Sequence, residues 1–231
     1  MGMARARWLG HAAFYLELGG ARVLVDPWIG GNPACPLTPD EVLELGKVDV
    51  VCVSHDHADH LGDAFKICRE HRAKLVCVYE VGLRAQEEGV KADDIYGMNV
   101  GGTVEVAGLK ITLVPALHSC SAGVPVGFVI KGEGKAVYHA GDTALFGDMA
   151  LIGRLYGPID LALLPIGGYY TMGPLEAAEA VALLKPKAVI PMHYATFPVL
   201  VQDASEFASL VRQKCPDVKV VVLKPGEVYE F

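Results

Sequence analysis

One short segment of the chain is crowded with side chains that can bind metal ions or move protons. Residues 55–60 contain three histidines and two aspartates. Such groups are seldom buried together without partners, so packing alone does not explain them; a solvated polar turn is the plain alternative. Neutral imidazole and carboxylate are donors that borderline divalent metal ions accept. The residues are His55, Asp56, His57, Asp59 and His60.

The position of this segment in the chain fits a metal site. It follows the apolar run Asp49–Val53, which has the character of a strand, and precedes a stretch with helical periodicity. A loop at the end of a strand lets alternate side chains reach different sides of one cavity. In this arrangement His55 and His57 can bind one ion while Asp59 and His60 bind a second.

Three isolated histidines and aspartates follow other predicted strands. Each one alone is more typical of a capping or surface residue. Together with residues 55–60 they supply ligands from several strand ends, as a metal site requires. They are His118 after Lys110–Pro115, Asp142 after Lys135–Tyr138, and His193 after Ala188–Ile190.

The elements that position these residues fall into two similar halves. Each half passes from meander-like strands into alternating strands and helices, which predicts an α/β fold of two mixed β-sheets flanked by helices, an αββα four-layer sandwich. No Pro- or Ser-rich linker separates the halves, so residues 1–231 are expected to form a single domain. The predicted strands are Ala4–Leu9, Ala13–Leu18, Arg22–Val25, Asp49–Val53, Lys74–Val78, Thr103–Val106, Lys110–Pro115, Val126–Lys131, Lys135–Tyr138, Leu161–Leu164, Ala188–Ile190 and Lys219–Leu223; helices are predicted after Leu61 and over Val81–Glu88, Pro174–Leu184 and Ser205–Lys214.

Composition and charge limit the partners of the chain. The net charge of −7 and the lack of Lys/Arg clusters argue against nucleic acid, whose phosphates require concentrated positive charge. No apolar run is long enough for a membrane helix, and the start has no signal-peptide core, so a cytoplasmic protein is expected. The six cysteines form no C-x-x-C pair and are expected to be reduced. A small-molecule substrate is the expected partner, with homo-oligomerisation left open.

The ligand pattern resembles that of the metallo-β-lactamase superfamily. Its H-x-H-x-D-H motif matches His55, His57, Asp59 and His60, and its later single-residue motifs match His118, Asp142 and His193. The resemblance spans roughly residues 4 to 231. Within the superfamily the chain looks most like the metal-dependent hydrolases related to the L-ascorbate-6-phosphate lactonase group. The segments that point there are Leu9-Gly10-His11-Ala12-Ala13-Phe14, Asp26-Pro27-Trp28, His139-Ala140-Gly141-Asp142-Thr143 and Tyr170-Thr171-Met172-Gly173-Pro174.

This resemblance implies the metallo-β-lactamase fold, two metal ions and a division of the ligands between them. The ions would be zinc, with manganese, iron or nickel also compatible with the ligands. The nucleophile would be a metal-activated hydroxide, with a small ester, lactone or phosphoester as substrate. Asp59 would orient the hydroxide, and Asp59, His193 and His11 are the candidate catalytic residues. The first ion would be held by His55, His57 and His118, and the second by Asp59, His60, Asp142 and His193, with Asp142 bridging both.

Several further residues are candidates for accessory roles. His11 lies in a turn between two strands. It is interpreted as a residue that contacts the metal ligands or the substrate, with a purely structural role in the turn as the alternative. Asp26 can accept a proton from a ligand imidazole, or simply end a strand. Tyr169, Tyr170 and Thr171 are candidate substrate contacts in a loop. The Pro-rich segment Asn32–Pro39 is interpreted as a mobile loop over the cavity.

Two other functions are weighed against the small-molecule hydrolase. A phosphodiesterase or nuclease would need a basic docking surface or a clamping domain, and neither is visible in the sequence. A non-catalytic metal-binding scaffold is disfavoured because the ligand set is complete.

Overall fold

The computed structural model describes residues 3–231 of the expected domain 1–231, and Met1 and Gly2 lie outside the described part. Its strands are β1 Arg5–Trp8, β2 Phe14–Leu18, β3 Ala21–Val25, β4 Val50–Val53, β5 Lys74–Val78, β6 Ile95–Met98, β7 Thr103–Val106, β8 Leu109–Pro115, β9 Val126–Gly132, β10 Lys135–His139, β11 Leu161–Pro165, β12 Ala188–Met192, β13 Lys219–Val220 and β14 Val228–Glu230. Its α-helices are α1 Pro39–Glu44, α2 Ala58–Leu61, α3 Ala64–His71, α4 Tyr79–Glu87, α5 Met149–Tyr156, α6 Pro174–Leu184 and α7 Ser205–Lys214.

The strands form two seven-stranded mixed sheets that repeat one plan. The first sheet has the order β14-β1-β2-β3-β4-β5-β6 and the second β13-β12-β11-β10-β9-β8-β7. In each sheet, four neighbouring strands pair antiparallel and the remaining neighbours pair parallel. The parallel strands of one sheet all end at the same edge, so the loops that follow them are neighbours.

Alternation along the strands divides the apolar side chains between two layers. In β3, Val23 and Val25 belong to the cluster shared by the two sheets, whereas Leu24 packs with the helices outside the first sheet. In β4, Cys52 and Val53 are divided in the same way. Successive side chains of a strand point to opposite faces, so a sheet covered on both sides needs such apolar runs.

Helices cover the outer faces of both sheets. Helices α3 and α4 contact the first sheet, while α6 and α7 contact the second and α5 packs on α6. This arrangement confirms the predicted four-layer αββα sandwich. None of the helices within residues 3–231 combines the length and the apolar character that crossing a bilayer requires.

The structure adds elements that the sequence analysis did not predict. Helix α1 begins with a capping box in which Thr38 accepts from the Glu41 amide and Glu41 accepts from the Thr38 amide. The unpredicted strands β6 and β14 lie at the two edges of the first sheet, and α5 is also additional. The predicted strand Lys219–Leu223 is shorter in the structure, because only Lys219–Val220 pairs with a neighbour.

Candidate metal centre

All seven predicted ligand residues lie at one edge of the sandwich. His55, His57, Asp59 and His60 occupy the loop after β4 and the short helix α2, so they come from the first sheet. Three loops of the second sheet supply the others. His118 follows β8, Asp142 follows β10, and His193 follows β12.

The first group of ligand atoms belongs to His55, His57 and His118. Their ring nitrogens lie within 4.8 Å of one another. His55 Nε2 is 2.9 Å from His57 Nδ1. Three imidazoles converging on one point form a nitrogen donor set of the kind that zinc accepts.

The second group contains Asp59, His60 and His193, and also His11. One ligand atom from each of these residues lies within 4.8 Å of the others. His11 Nε2 is 3.1 Å from Asp59 Oδ2, and its Nδ1 is 3.0 Å from the hydroxyl of Thr196. His11 is fully buried, and it contacts the candidate ligand Asp59 through this hydrogen bond.

Asp142 joins the two groups. Its Oδ2 lies 3.0 Å from His193 Nε2, 3.2 Å from His60 Nε2 and 3.6 Å from His118 Nε2. Its other oxygen, Oδ1, is buried and has no hydrogen-bond partner among the described residues. A buried carboxylate oxygen without a donor is costly unless a cation binds it. The residues present therefore fit a pair of divalent cations.

Asp26 and Ser54 fix the orientation of two ligand rings. Asp26 Oδ2 accepts from the Ser54 hydroxyl at 2.6 Å and from His60 Nδ1 at 2.7 Å. Because the serine proton is used in this way, His55 Nδ1, 2.9 Å from the serine oxygen, acts as the donor to it. His55 and His60 each keep an Nε2 lone pair for a metal when neutral. Such outer hydrogen bonds orient the ligands of metal sites.

Burial and neighbouring charges set the protonation of these groups. Burial lowers the pKa of His11 to about 4, against the opposing hydrogen bond with Asp59, and lowers that of His55 to about 3. Burial acts in the same direction on His60, but the carboxylates of Asp142 and Asp26 outweigh it and raise the pKa of His60 well above its usual value. The space between these carboxylates thus favours positive charge.

A cavity of about 720 Å³ opens onto both groups, and His57, Asp59, His118, Asp142 and His193 all line it. This volume is within the usual range for small-molecule sites. The rest of its wall is mainly apolar and comes from the segments that follow five strands, β3, β4, β8, β11 and β12. It consists of Trp28, Ala58, Ser119, Tyr170, Phe197, Pro198 and Val199.

The predicted substrate contacts are only partly at this cavity. Tyr170 lines it, whereas Tyr169 is 73% exposed and packs edge-on against Tyr170. Thr171 is outside the lining and its hydroxyl donates to the Met172 carbonyl. His11 is also outside the lining, and the hydrogen-bond partners of its ring are Asp59 and Thr196.

The interpretation of Asn32–Pro39 as a loop over the cavity is wrong, because none of its residues lines the cavity. Asn32 is buried and donates to the Trp28 carbonyl at 2.9 Å, while its side-chain oxygen accepts from the Ala34 amide. Pro39 begins α1. The segment is tied to the turn beside Gly10, where Ala34 packs closely.

Sequence reasoning missed the cavity wall contributed by the loop after β12. Thr196, which contacts His11, and the lining residues Phe197, Pro198 and Val199 all follow His193 within a few positions. These residues could have been recognised in the sequence, because Phe197, Pro198 and Val199 form an apolar run in a loop directly after a predicted ligand. Apolar residues are not expected to be buried in a core at such a position, so the run indicates a binding surface.

Comparison with known proteins gives the family. A model described as the beta-lactamase superfamily domain matches residues 21–194. A UPF0173 metal-dependent hydrolase of Caldivirga maquilingensis is 53% identical over 228 residues, covering 98% of this chain and 97% of that protein. A UPF0173 metal-dependent hydrolase of Methanopyrus kandleri is 52% identical over 235 residues, covering 98% of this chain and 99% of that protein. The structure of Igni18, a metallo hydrolase from Ignicoccus hospitalis, matches with a TM-score of 0.92 and 42% sequence identity, covering 100% of this chain and 99% of that chain.

These matches extend over nearly the whole chain and agree with the two-sheet fold and with the converging imidazole and carboxylate groups. The chain therefore belongs to the metallo-β-lactamase superfamily, within its UPF0173 metal-dependent hydrolase family.

Proposed function

We propose that this protein is a two-metal hydrolase that acts on a small ester, lactone or phosphoester. The observation that carries the proposal is the position of Asp142 between two groups of ligand atoms. One of its oxygens faces imidazoles of both groups, and the other is buried without a partner among the described residues. A carboxylate in this position is suited to bridge two cations.

The ligands divide as follows. His55, His57 and His118 would hold the first ion, and Asp59, His60 and His193 the second, with Asp142 shared. Zinc is our first choice of metal, because imidazole nitrogen and carboxylate oxygen together suit it; manganese, iron and nickel are compatible with the same donors. When bound, such ions polarise a substrate oxygen and lower the pKa of a water molecule.

The residues of the chain supply orientation and proton acceptance. Asp59 lines the cavity, and its Oδ2 is held by His11 Nε2 at 3.1 Å. Neighbouring His11 and His60 outweigh burial and keep the pKa of the Asp59 carboxyl low, so it is an anion that can accept a hydrogen bond from an attacking water. His193 lines the cavity beside Asp142 and would help to hold the ion near which the leaving oxygen of the substrate lies. His11 acts through Asp59 as a positioning residue.

The shape and lining of the cavity favour a small molecule over a nucleic acid. All described residues that line it are neutral, acidic or histidine, whereas nuclease sites surround phosphates with Lys and Arg. A non-catalytic scaffold would not require an open cavity above a complete ligand set. We therefore place the phosphodiesterase or nuclease and the scaffold behind the small-molecule hydrolase.

Elemental analysis of tag-free protein tests the proposal. We expect about two equivalents of one transition metal per chain, and metal-dependent hydrolysis in a screen of esters, lactones and phosphoesters. His57→Ala and Asp142→Ala should lose metal and activity while remaining folded by circular dichroism. His71→Ala, which changes a histidine away from the ligand groups, is the matched control. No bound metal after reconstitution with zinc, manganese, iron and nickel would overturn the proposal.

A further inference from the structure

The wall of the cavity above the ligand residues is built from aromatic and aliphatic side chains. Trp28 and Phe197 stack with ring centroids 5.9 Å apart and an interplanar angle of 25°. Both rings also pack on His11, at 5.2 Å and 5.4 Å. His11 holds Asp59, so the aromatic pair stands directly beside the second ligand group.

Exposed apolar groups extend this wall toward solvent. Tyr170 is 52% exposed and Val199 is 54% exposed, and both line the cavity. Large apolar side chains cost free energy when they face water, and a set of them around one cavity marks a binding surface. The aromatic pair and these two residues together form what we call the apolar wall: Trp28, Phe197, Tyr170 and Val199.

Charge is confined to the floor of the cavity. Among the described lining residues, the carboxylates are Asp59 and Asp142, and there is no lysine or arginine. Arg84, near the ligand loop, is engaged with Asp56 and Glu88. An anionic group distant from the metal ions would therefore lose water without gaining a charged partner.

From this arrangement we propose that the part of the substrate remote from the scissile bond is an uncharged apolar group, aliphatic or aromatic, that lies against the apolar wall. The inference rests on the proposed hydrolase function and names its substrate class, an ester or lactone with a hydrophobic tail. Substrates that carry a second, remote phosphate or carboxylate, such as a sugar phosphate, are rejected.

Binding of product-like acids to the metal-loaded protein tests this inference without turnover. Butanoate, octanoate and octanedioate share one carboxylate for the floor of the cavity, and octanoate and octanedioate differ only in the charge at the far end. Isothermal titration should show octanoate binding at least about tenfold tighter than butanoate, since each buried methylene contributes up to about fourfold. Octanedioate should bind about tenfold or more weaker than octanoate.

Two variants separate the wall from general effects on folding. Phe197→Ala should reduce the difference between octanoate and butanoate, whereas Leu155→Ala, which alters an exposed residue on α5, should not. Val199→Arg places a cation on an exposed part of the wall and should shift preference toward octanedioate. Circular dichroism and metal content verify that each variant is folded and loaded.

The possible results separate the assignment of the apolar wall from the proposed hydrolase function. Equal affinity for octanoate and octanedioate, or no dependence on chain length, would overturn the assignment of the wall even if esters are hydrolysed. An intact chain-length dependence in a protein that hydrolyses no ester, lactone or phosphoester would refute the proposed function and leave the apolar binding surface standing.

Discussion

Replacement of Asp26 by asparagine should weaken metal binding although Asp26 is not one of the ligands. Asp26 Oδ2 accepts from His60 Nδ1 at 2.7 Å and from the Ser54 hydroxyl at 2.6 Å, and its side chain is fully buried. The other oxygen, Oδ1, accepts from the Ser54 backbone N–H at 2.7 Å. Asparagine has only one oxygen, so its NH₂ group must face either the Ser54 N–H or the two donors at Oδ2, and in both cases His60 loses its hydrogen bond to a charged carboxylate. Asparagine is the appropriate substitution because Asp26 has φ = 45°, a left-handed conformation that asparagine tolerates and alanine does not.

The size of the effect follows from the lost interaction. A hydrogen bond to a charged group contributes about 1.5–3 kcal/mol. At about 1.4 kcal/mol per factor of ten, the affinity for the second ion should fall about tenfold to a hundredfold, the range typical when the partner of a ligand histidine is removed. Competition for zinc with a chromogenic chelator would measure this change.

Asp160→Asn is the matched control for Asp26→Asn. Asp160 is also buried, but it accepts from the Ala136 amide and from Lys187 at the opposite edge of the second sheet. That variant should lose stability and keep the affinity for zinc. A folded Asp26→Asn protein with unchanged zinc affinity would refute the role assigned to Asp26.

Two more predictions concern backbone packing and metal-linked stability. Gly62 has φ = 42°, and a Cβ there would lie 2.4 Å from Trp28 Cα, so Gly62→Ala should lower the free energy of unfolding by more than about 2 kcal/mol in urea denaturation. Gly20→Ala, with φ = 78° and open space around the new Cβ, should cost only about 1 kcal/mol, and equal losses would contradict the close approach. Removal of metal by a chelator should lower the melting temperature. Relative to protein with free metal at a thousand times its dissociation constant, the free energy of unfolding should fall by about 4 kcal/mol. Equal melting temperatures of the two forms in calorimetry would rule out metal binding to the folded state.

The sequence was sufficient for the parts of the fold that repeat a short pattern. β3 and β4 are apolar on both faces, and such runs are recognised without knowledge of their neighbours. The edge strand β14 was missed because it has three residues and depends on pairing with β1, which is at the other end of the chain. Helix α1 was missed although Thr38 and Glu41 carry the signature of a capping box.

The candidate site shows the same division between local and distant information. Residues 55–60 can be recognised as a metal-binding segment from the sequence alone, because five residues with imidazole or carboxylate groups lie in one short segment. The contact between His11 and Thr196, and the stacking of Trp28 on Phe197, join segments from opposite ends of the chain. No local pattern encodes such contacts, since they exist only after the two sheets have packed.

The origin of the ligands from both sheets has a consequence for unfolding. Four ligand residues follow β4 in the first sheet, and three follow strands of the second. At the same edge only a few backbone hydrogen bonds tie the sheets together, among them that from the His193 amide to the His11 carbonyl. Under the proposed function, ions bound here would act as cross-links between the two halves of the sandwich. Neither sheet could then separate from the other without releasing metal, and we expect the halves of the metal-loaded protein to unfold as one cooperative unit.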